Sequence, residues 1–523
     1  MKITISSGDK QSVVSSGERI LLSEAIQSGS FPFDMPCNGR GVCGKCRVYA
    51  SGCLSAPTRQ ETEHLGAELA DGTRLACMTW AEGDCEVRLL QKNAHIVTDS
   101  VAARLDYAPM GKNYGFAVDI GTTTVAIYLC DFRNQGKQIA QAAFSNPQSA
   151  FGADVISRIQ EALDGGAERL SHVIRERLEE TFLQLCGQAG ISSDLVDSIV
   201  ITGNTTMLYL LCQVDTEPLS HSPFAITEYF GRIVDDSMLR FGTLKNACVF
   251  LPRTISAFVG SDITCSILTS GIRKKKGINV MADIGTNGEM AVYRDRKLCC
   301  CSTAAGPAFE GAGITMGSAA IDGAISDVTF DHGFTYKTIG GQKKATGICG
   351  SGLIDAVAAC LHAGLVDETG RIDGDTEENL PFLTEYQGKQ AVKIGESGVL
   401  LTQEDFRAVQ LAKAAICAGI RSLMHEVGVE AGEVDHLFLA GGFGSFIKPE
   451  SAAAIGLIPG ELASRLKSIG NAALGGAYAI LCSEAEHKES DDIAKSAVNL
   501  ELSSSPYFMD QYVEEMMFPV SMD

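Results

Sequence analysis

The alternation of apolar and polar positions divides the chain into a short β-rich front and a long α/β body. Residues 2–6 and 11–15 alternate with period two and predict a strand pair, and residues 21–28 predict a short helix. From Tyr114 onward, apolar runs end in glycine turns and helical stretches follow. Phe116-Ala117-Val118 runs into Asp119-Ile120-Gly121-Thr122-Thr123-Thr124 and then into Val125-Ala126-Ile127-Tyr128. Residues 278–282 run into Asp283-Ile284-Gly285-Thr286-Asn287-Gly288-Glu289 and then into Met290-Ala291-Val292-Tyr293. Both units read strand, tight turn, strand. Their likeness predicts an internal duplication, with two half-domains facing each other. Residues 154–163 and 170–185 carry a helical period, and Ile199-Val200-Ile201 is a strand leading into the polar turn Thr202 to Thr206.

The two turns suit a nucleotide phosphate. Gly121 and Gly285 let the backbone approach closely, and Thr122, Thr123, Thr124, Thr286 and Asn287 can donate to phosphate oxygens. Asp119 and Asp283 can each hold a hydrated metal ion, while Glu289 and Glu310 are candidates for orienting water, with a plain surface carboxylate as the alternative for each. One such turn would pass for an ordinary hairpin; two in duplicate argue for a site. Residues 435–440 predict a strand that delivers Gly441, Gly442 and Gly444, where a purine or ribose could lie on the backbone. Ser256 to Asp262 and Ile469 to Ala477 each lead into a helix with a small-residue face, and the two helices would pair as a hinge. Residues 304–311 and 347–352 are glycine loops able to line the cleft.

Composition narrows the class. A hydrophobic fraction of 45% and a charged fraction of 20% are ordinary for a soluble globular protein. The formal net charge of −21 argues against nucleic acid and anionic membrane as partners. Lys2-Ile3-Thr4-Ile5 is not a secretory opening and no apolar run reaches membrane-spanning length, so a cytoplasmic protein is expected. The 18 cysteines are then reduced thiols or metal ligands. Cys130, Cys186, Cys212, Cys417 and Cys482 read as small buried hydrophobes, and Cys299-Cys300-Cys301 as a strand alternating between core and surface.

Cys37, Cys43 and Cys46 stand in a C-x5-C-x2-C loop rich in glycine, and Leu75-Ala76-Cys77 supplies a distant fourth thiol. That spacing is close to the four-thiolate pattern of a plant-type 2Fe–2S cluster. A structural zinc would also accept four thiolates, but zinc sites more often show two CxxC pairs and this chain has one. Gly39, Gly44 and Lys45 imitate a Walker A loop, yet Cys46 occupies the position that needs Ser or Thr.

Residues 1–90 resemble plant- and adrenodoxin-type ferredoxins, which implies an α+β β-grasp fold with Cys37, Cys43, Cys46 and Cys77 as cluster ligands. Residues 91–113 read as a linker, over which a tethered ferredoxin could swing between electron donor and acceptor. Residues 114–483 resemble the acetate and sugar kinase/Hsc70/actin superfamily, which implies a duplicated, ribonuclease H-like α/β ATPase domain closing on ATP and Mg²⁺. Residues 484–523 form a tail: a solvated start, one more strand at residues 497–502, and aromatics and methionines that dock on the body. Taken together, these motifs look like the ATP-dependent reductive activators of corrinoid proteins. The resemblance runs through Glu501-Leu502-Ser503 and Phe518-Pro519. It implies one-electron reduction of Co(II) to the methyl-accepting Co(I) state, a corrinoid-protein partner and a low-potential electron donor. A homodimer is compatible with it, though the sequence leaves the oligomeric state open. Some members carry an extra middle domain between linker and nucleotide fold, and the gap from Cys77 to Asp119 is too short for one. The alternatives are an ATP-driven electron donor for another low-potential metalloenzyme, or a small-molecule kinase with a redox domain.

Overall fold

The computed structural model describes residues 1–7, 10–29, 31, 33, 39, 41, 44–89, 105–342, 344–442 and 446–519. The chain forms two compact units, residues 1–93 with 145–177, and residues 94–144 with 178–523. Among the described residues no helix is long and apolar enough to cross a membrane.

The first unit is built on a mixed sheet in the order Lys10–Ser15, Lys2–Ser7, Trp80–Leu89, Arg47–Leu54, Thr73–Leu75. Lys2–Ser7 runs parallel to Trp80–Leu89 and the other pairings are antiparallel. Alternation puts Ile3, Ile5, Val48 and Val87 on one face, where Leu22, Ala25 and Ile26 of the helix Leu22–Ser28 cover them. A sheet clasping one helix is the expected β-grasp. Residues 145–177 belong to the same unit, and the Gln27 side-chain amide donates to the Ala150 carbonyl at 2.8 Å. The expected helices there are Val155–Glu161 and, after a π turn with Gly165 at φ 95°, Ala167–Ala189.

The second unit carries the duplication. Its first sheet contains Cys248–Leu251, Val196–Gly203, Tyr114–Ile120, Thr124–Asp131 and Lys137–Ser145 in that order. The second repeats it with Leu466–Gly470, Val434–Ala440, Ile278–Ile284, Gly288–Arg294 and Lys297–Thr303. In both, the central strand pairs in parallel with one neighbour and in an antiparallel hairpin with the other. The copies diverge at their edges. Ala497–Leu500, the strand expected in the tail, extends only the second sheet, running parallel to Lys297–Thr303.

That extra strand corrects one expectation. Cys299, Cys300 and Cys301 are all fully buried, with none on the surface. The strand does alternate, but between two cores: Cys299 and Cys301 pack with Val292 and Ile416, Cys300 with Ile480 and Ile493. Cys130, Cys186, Cys212, Cys417 and Cys482 are buried as expected.

Residues 105–113 run against the end of the helix Ala472–Cys482, with Ala108 and Met110 N–H donating to the Cys482 and Leu481 carbonyls. The rest of the expected linker lies outside the described residues. In the tail, helix Glu484–Ser496 exposes its polar face but buries Ile493 and Ala494. Phe508 and Phe518 are buried against the body, and Gln410 donates to the Met516 carbonyl at 2.9 Å.

Candidate nucleotide cleft and cluster loop

The two Asp-Ile-Gly-Thr turns fold alike for the same local reason. In the first, Gly121 N–H closes the turn on the Thr124 carbonyl; in the second, Gly285 N–H closes it on Asn287, both at 2.9 Å. Each turn sits at the carboxyl end of its central strand beside a glycine of the neighbouring parallel strand. A Cβ on Gly203 would lie 2.7 Å from the Ile120 carbonyl, and one on Gly441 (φ 105°) 2.4 Å from the Ile284 carbonyl. Gly442 stands in open space, so the backbone there is accessible to a ligand; Gly444 lies outside the described residues.

The aspartates are braced reciprocally by the other half. Asn471, which caps the helix Ala472–Cys482 of the second half, donates Nδ2–H to Asp119 Oδ2 at 3.1 Å while its Oδ1 accepts from Leu474 N–H. Ser266, on the helix Ser261–Ser270 of the first half, donates to Asp283 Oδ2 at 2.8 Å. These are the two small-residue helices expected to pair, and they do. They touch backbone to backbone: a Cβ on Gly476 would lie 2.3 Å from the Cys265 carbonyl, and Thr269 donates to the Ala472 carbonyl at 2.7 Å.

Asp262 joins the cluster from the first turn of the helix Ser261–Ser270, a placement that pattern reading missed. Desolvation and the nearby Asp119 and Asp283 charges push its carboxyl up to about 8. Desolvation raises Asp119 to about 7 against the opposing Asn471 hydrogen bond, and raises Asp283 to about 6 against Ser266. Glu289 is pushed well above the usual carboxylate range by desolvation and by Asp262 and Asp283, although Ser302 donates to it at 3.3 Å. Four acidic groups thus resist ionisation together, and a divalent cation would relieve that strain. Among the described residues no three such side chains converge into a ready-made metal cage.

Glu310 is half-buried and more than a plain surface carboxylate. It accepts from Thr123 Oγ1 at 2.7 Å and from Thr286 Oγ1 at 2.8 Å, so it spans the two turns.

In the first unit, Cys46 and Cys77 are buried with their sulfurs 3.2 Å apart, and the hydrogen bond to Cys77 together with burial pushes the Cys46 thiol well above its ordinary value. Cys37 and Cys43 lie outside the described residues. Gly39, Gly41 and Gly44 have φ of 75°, 72° and 61°, left-handed conformations that favour glycine. The Cys77 segment is pinned by two neighbours. Leu22 and Ser23, opening their helix, donate to the Thr79 and Ala76 carbonyls. Glu61, fully buried, accepts from Arg74, Leu75 N–H and Thr79 Oγ1 at 2.8–3.2 Å. Burial alone would raise the Glu61 carboxyl; these donors and Thr58 N–H outweigh it and hold it below the ordinary value. A close, buried thiol pair beside a loop of left-handed glycines fits a 2Fe–2S cluster.

The matches with known families follow the same divisions. A 2Fe-2S iron-sulfur cluster binding domain matches residues 3–82, the RACo middle region matches 114–275, and the C-terminal domain of RACo, the ASKHA domain, matches 277–523. The match to the middle region covers the half of the duplicated fold that carries Asp119. The corrinoid activation enzyme RamQ of Eubacterium limosum is 35% identical over 435 residues, 79% of this chain and 72% of the relative. A [Co(II) methylated amine-specific corrinoid protein] reductase of Methanosarcina barkeri is 25% identical over 439 residues, 77% of each chain. A solved structure of a reductive activator for corrinoid, iron-sulfur protein superposes with a TM-score of 0.73 at 27% identity, covering 99% of this chain and 98% of that one. With these models lying side by side along the sequence and a relative this similar, the chain belongs to the RACo family of reductive activators.

Proposed function

We propose that this chain reactivates a corrinoid protein, reducing its Co(II) centre by one electron to Co(I) in an ATP-dependent cycle. The observation that carries this reading is the presence, in one chain, of a thiolate cluster loop and a two-half nucleotide cleft braced across its hinge helices. Cys37, Cys43, Cys46 and Cys77 hold the 2Fe–2S cluster, which supplies a one-electron centre near about −400 mV when bound. A low-potential donor recharges it.

A downhill electron transfer needs no nucleotide. ATP is required when the acceptor's potential lies at or below the donor's, because nucleotide binding can then change which complex is populated. In this reading Gly121, Thr122, Thr123, Thr124, Gly285, Thr286 and Asn287 bind the phosphates, and Gly441, Gly442 and Gly444 the adenosine. Asp119 and Asp283 hold Mg²⁺, with Glu289 placed to orient water. Because Asn471 and Ser266 each reach across to the other half's aspartate, a ligand drawn to both aspartates also sets the angle of the hinge.

The test is an anaerobic visible spectrum of a Co(II) corrinoid protein mixed with this chain and a chemical reductant, with and without ATP. Co(I) absorbance growing only with ATP is expected. Equal reduction without ATP would confine the nucleotide domain to regulation, and no reduction of any corrinoid protein of the same organism would point to another metalloenzyme.

A further inference from the structure

Each threonine hydroxyl has one proton to donate. In this structure Thr123 of the first turn and Thr286 of the second both spend that proton on the same carboxylate, Glu310, one on each oxygen. The donors stand 187 and 24 residues from it along the chain, so the convergence is tertiary. The two oxygens of a carboxylate are spaced much like two oxygens of a phosphoryl group and carry the same sign of charge. Whatever anion binds between the turns therefore competes with Glu310 for the same two hydrogen bonds.

The backbone beneath Glu310 is fixed. It ends the short 3₁₀ turn Pro307–Glu310, between Gly306 at φ 79° and Gly311 at φ 77°. Phe309 is buried, and its carbonyl lies so close to Gly350, which opens the helix Gly350–His362, that a Cβ there would sit 2.0 Å away. A Cβ on Gly311 would meet the Ser318 carbonyl at 2.5 Å. The loop is wedged on both sides, so exchange must come from rotation of the Glu310 side chain.

We propose that Glu310 is a built-in occupant of the phosphate site, joining the two turns until a nucleotide phosphate that reaches both of them takes its place. This rests on the reading of the Asp119 and Asp283 turns as the ATP site. It makes the cleft selective for nucleotide length: a ligand whose phosphate touches one turn or neither gains nothing from displacing the carboxylate. It also gives the two halves a ligand-free bridge, so nucleotide binding replaces one cross-cleft contact by another.

The test is calorimetric titration of the full cluster-loaded chain with a non-hydrolysable ATP analogue and with AMP, for wild type, Glu310→Ala, Glu310→Gln and Thr286→Val. Glu310→Ala should bind the analogue roughly tenfold tighter, about 1.4 kcal/mol, with AMP affinity unchanged. Glu310→Gln, which keeps the shape without the charge, should fall between wild type and alanine and guards against a folding defect in the smaller variant. Thr286→Val should weaken the analogue. Unchanged or weaker analogue binding in both Glu310 variants, with Thr286→Val still weakening it, would overturn the placeholder and leave the ATP site standing. Indifference of the analogue to Thr286→Val as well would overturn the ATP-site reading and the placeholder with it.

Discussion

Glu61 beside the cluster loop and the carboxylates of the nucleotide cleft have both been taken out of bulk water, and they meet opposite fates. Glu61 is surrounded by donors, two of them on one guanidinium, and its charged form is favoured. Asp119, Asp262, Asp283 and Glu289 share few donors and repel one another, so their charged forms are disfavoured. The first arrangement is complete within the chain and fastens the Cys77 segment in place. The second is incomplete until something positive arrives. A buried acid whose hydrogen bonds close internally reads as structure, and one left short of donors reads as a binding site.

Substitutions that treat the two regions alike would break this contrast. Glu61→Ala leaves the Arg74 charge buried without a partner, and we expect a loss of about 3–5 kcal/mol. After anaerobic reconstitution its visible cluster bands should be lost while calorimetric ATP binding persists. Divalent-cation binding should respond next most strongly. The Asp119, Asp262 and Asp283 carboxyls titrate between about 6 and 8, so raising pH from 6 to 8 removes protons that the cation must displace. Mg²⁺-nucleotide affinity should rise roughly tenfold over that range. The stability of the ligand-free chain carries the opposite sign in the two regions. The raised cleft carboxyls contribute stability that is fully present below the ordinary aspartate value of 3.8 and lost as pH climbs from there until it passes about 6 to 8. The lowered Glu61 contributes stability present above its unfolded value of about 4.5 and lost as pH falls below it.

A smaller effect separates the cleft from ordinary core. Above pH 8, where Asp262 is ionised, Asp262→Asn removes one of the mutually repelling charges, and thermal unfolding without nucleotide should show a gain of about 1 kcal/mol there, whereas Mg²⁺-nucleotide binding weakens. A loss of stability in that variant would mean Asp262 is structural after all. Smallest of these, Asn471→Ala should cost a little under about 1 kcal/mol as a lost helix cap. It should also push the Asp119 carboxyl further up, seen as a Mg²⁺-affinity profile displaced to higher pH.

The duplication was legible because each turn is encoded locally: an apolar run, Asp, Gly and Thr in fixed order, then another apolar run. The cluster loop was legible from cysteine spacing for the same reason. Asp262, Ser266 and Asn471 were not, since what makes them matter is a partner in the opposite half; Asn471 and Asp119 are 352 residues apart. A comparison of the two hinge segments, Gly260-Ser261-Asp262 and Gly470-Asn471-Ala472, could have raised them, because both put a polar group just after a glycine at a helix start. Glu61 hid behind its capping box with Thr58, which explains the residue locally and gives no hint of Arg74. The triple cysteine was misread because one strand's period says which positions share a face but not how many faces are covered.

The central claim is that cluster and nucleotide cleft are separable parts of one device, and Asp283→Ala tests it most directly. The variant and the wild type, each with its cluster reduced beforehand, would be mixed anaerobically with a Co(II) corrinoid protein, ATP added last, and both chromophores followed. The account predicts identical cluster spectra in the two proteins, with Co(I) growing in the wild type on ATP addition and at least about 100-fold more slowly in the variant. Co(I) forming in Asp283→Ala at the wild-type rate, or a cluster spectrum lost with the aspartate, would contradict it.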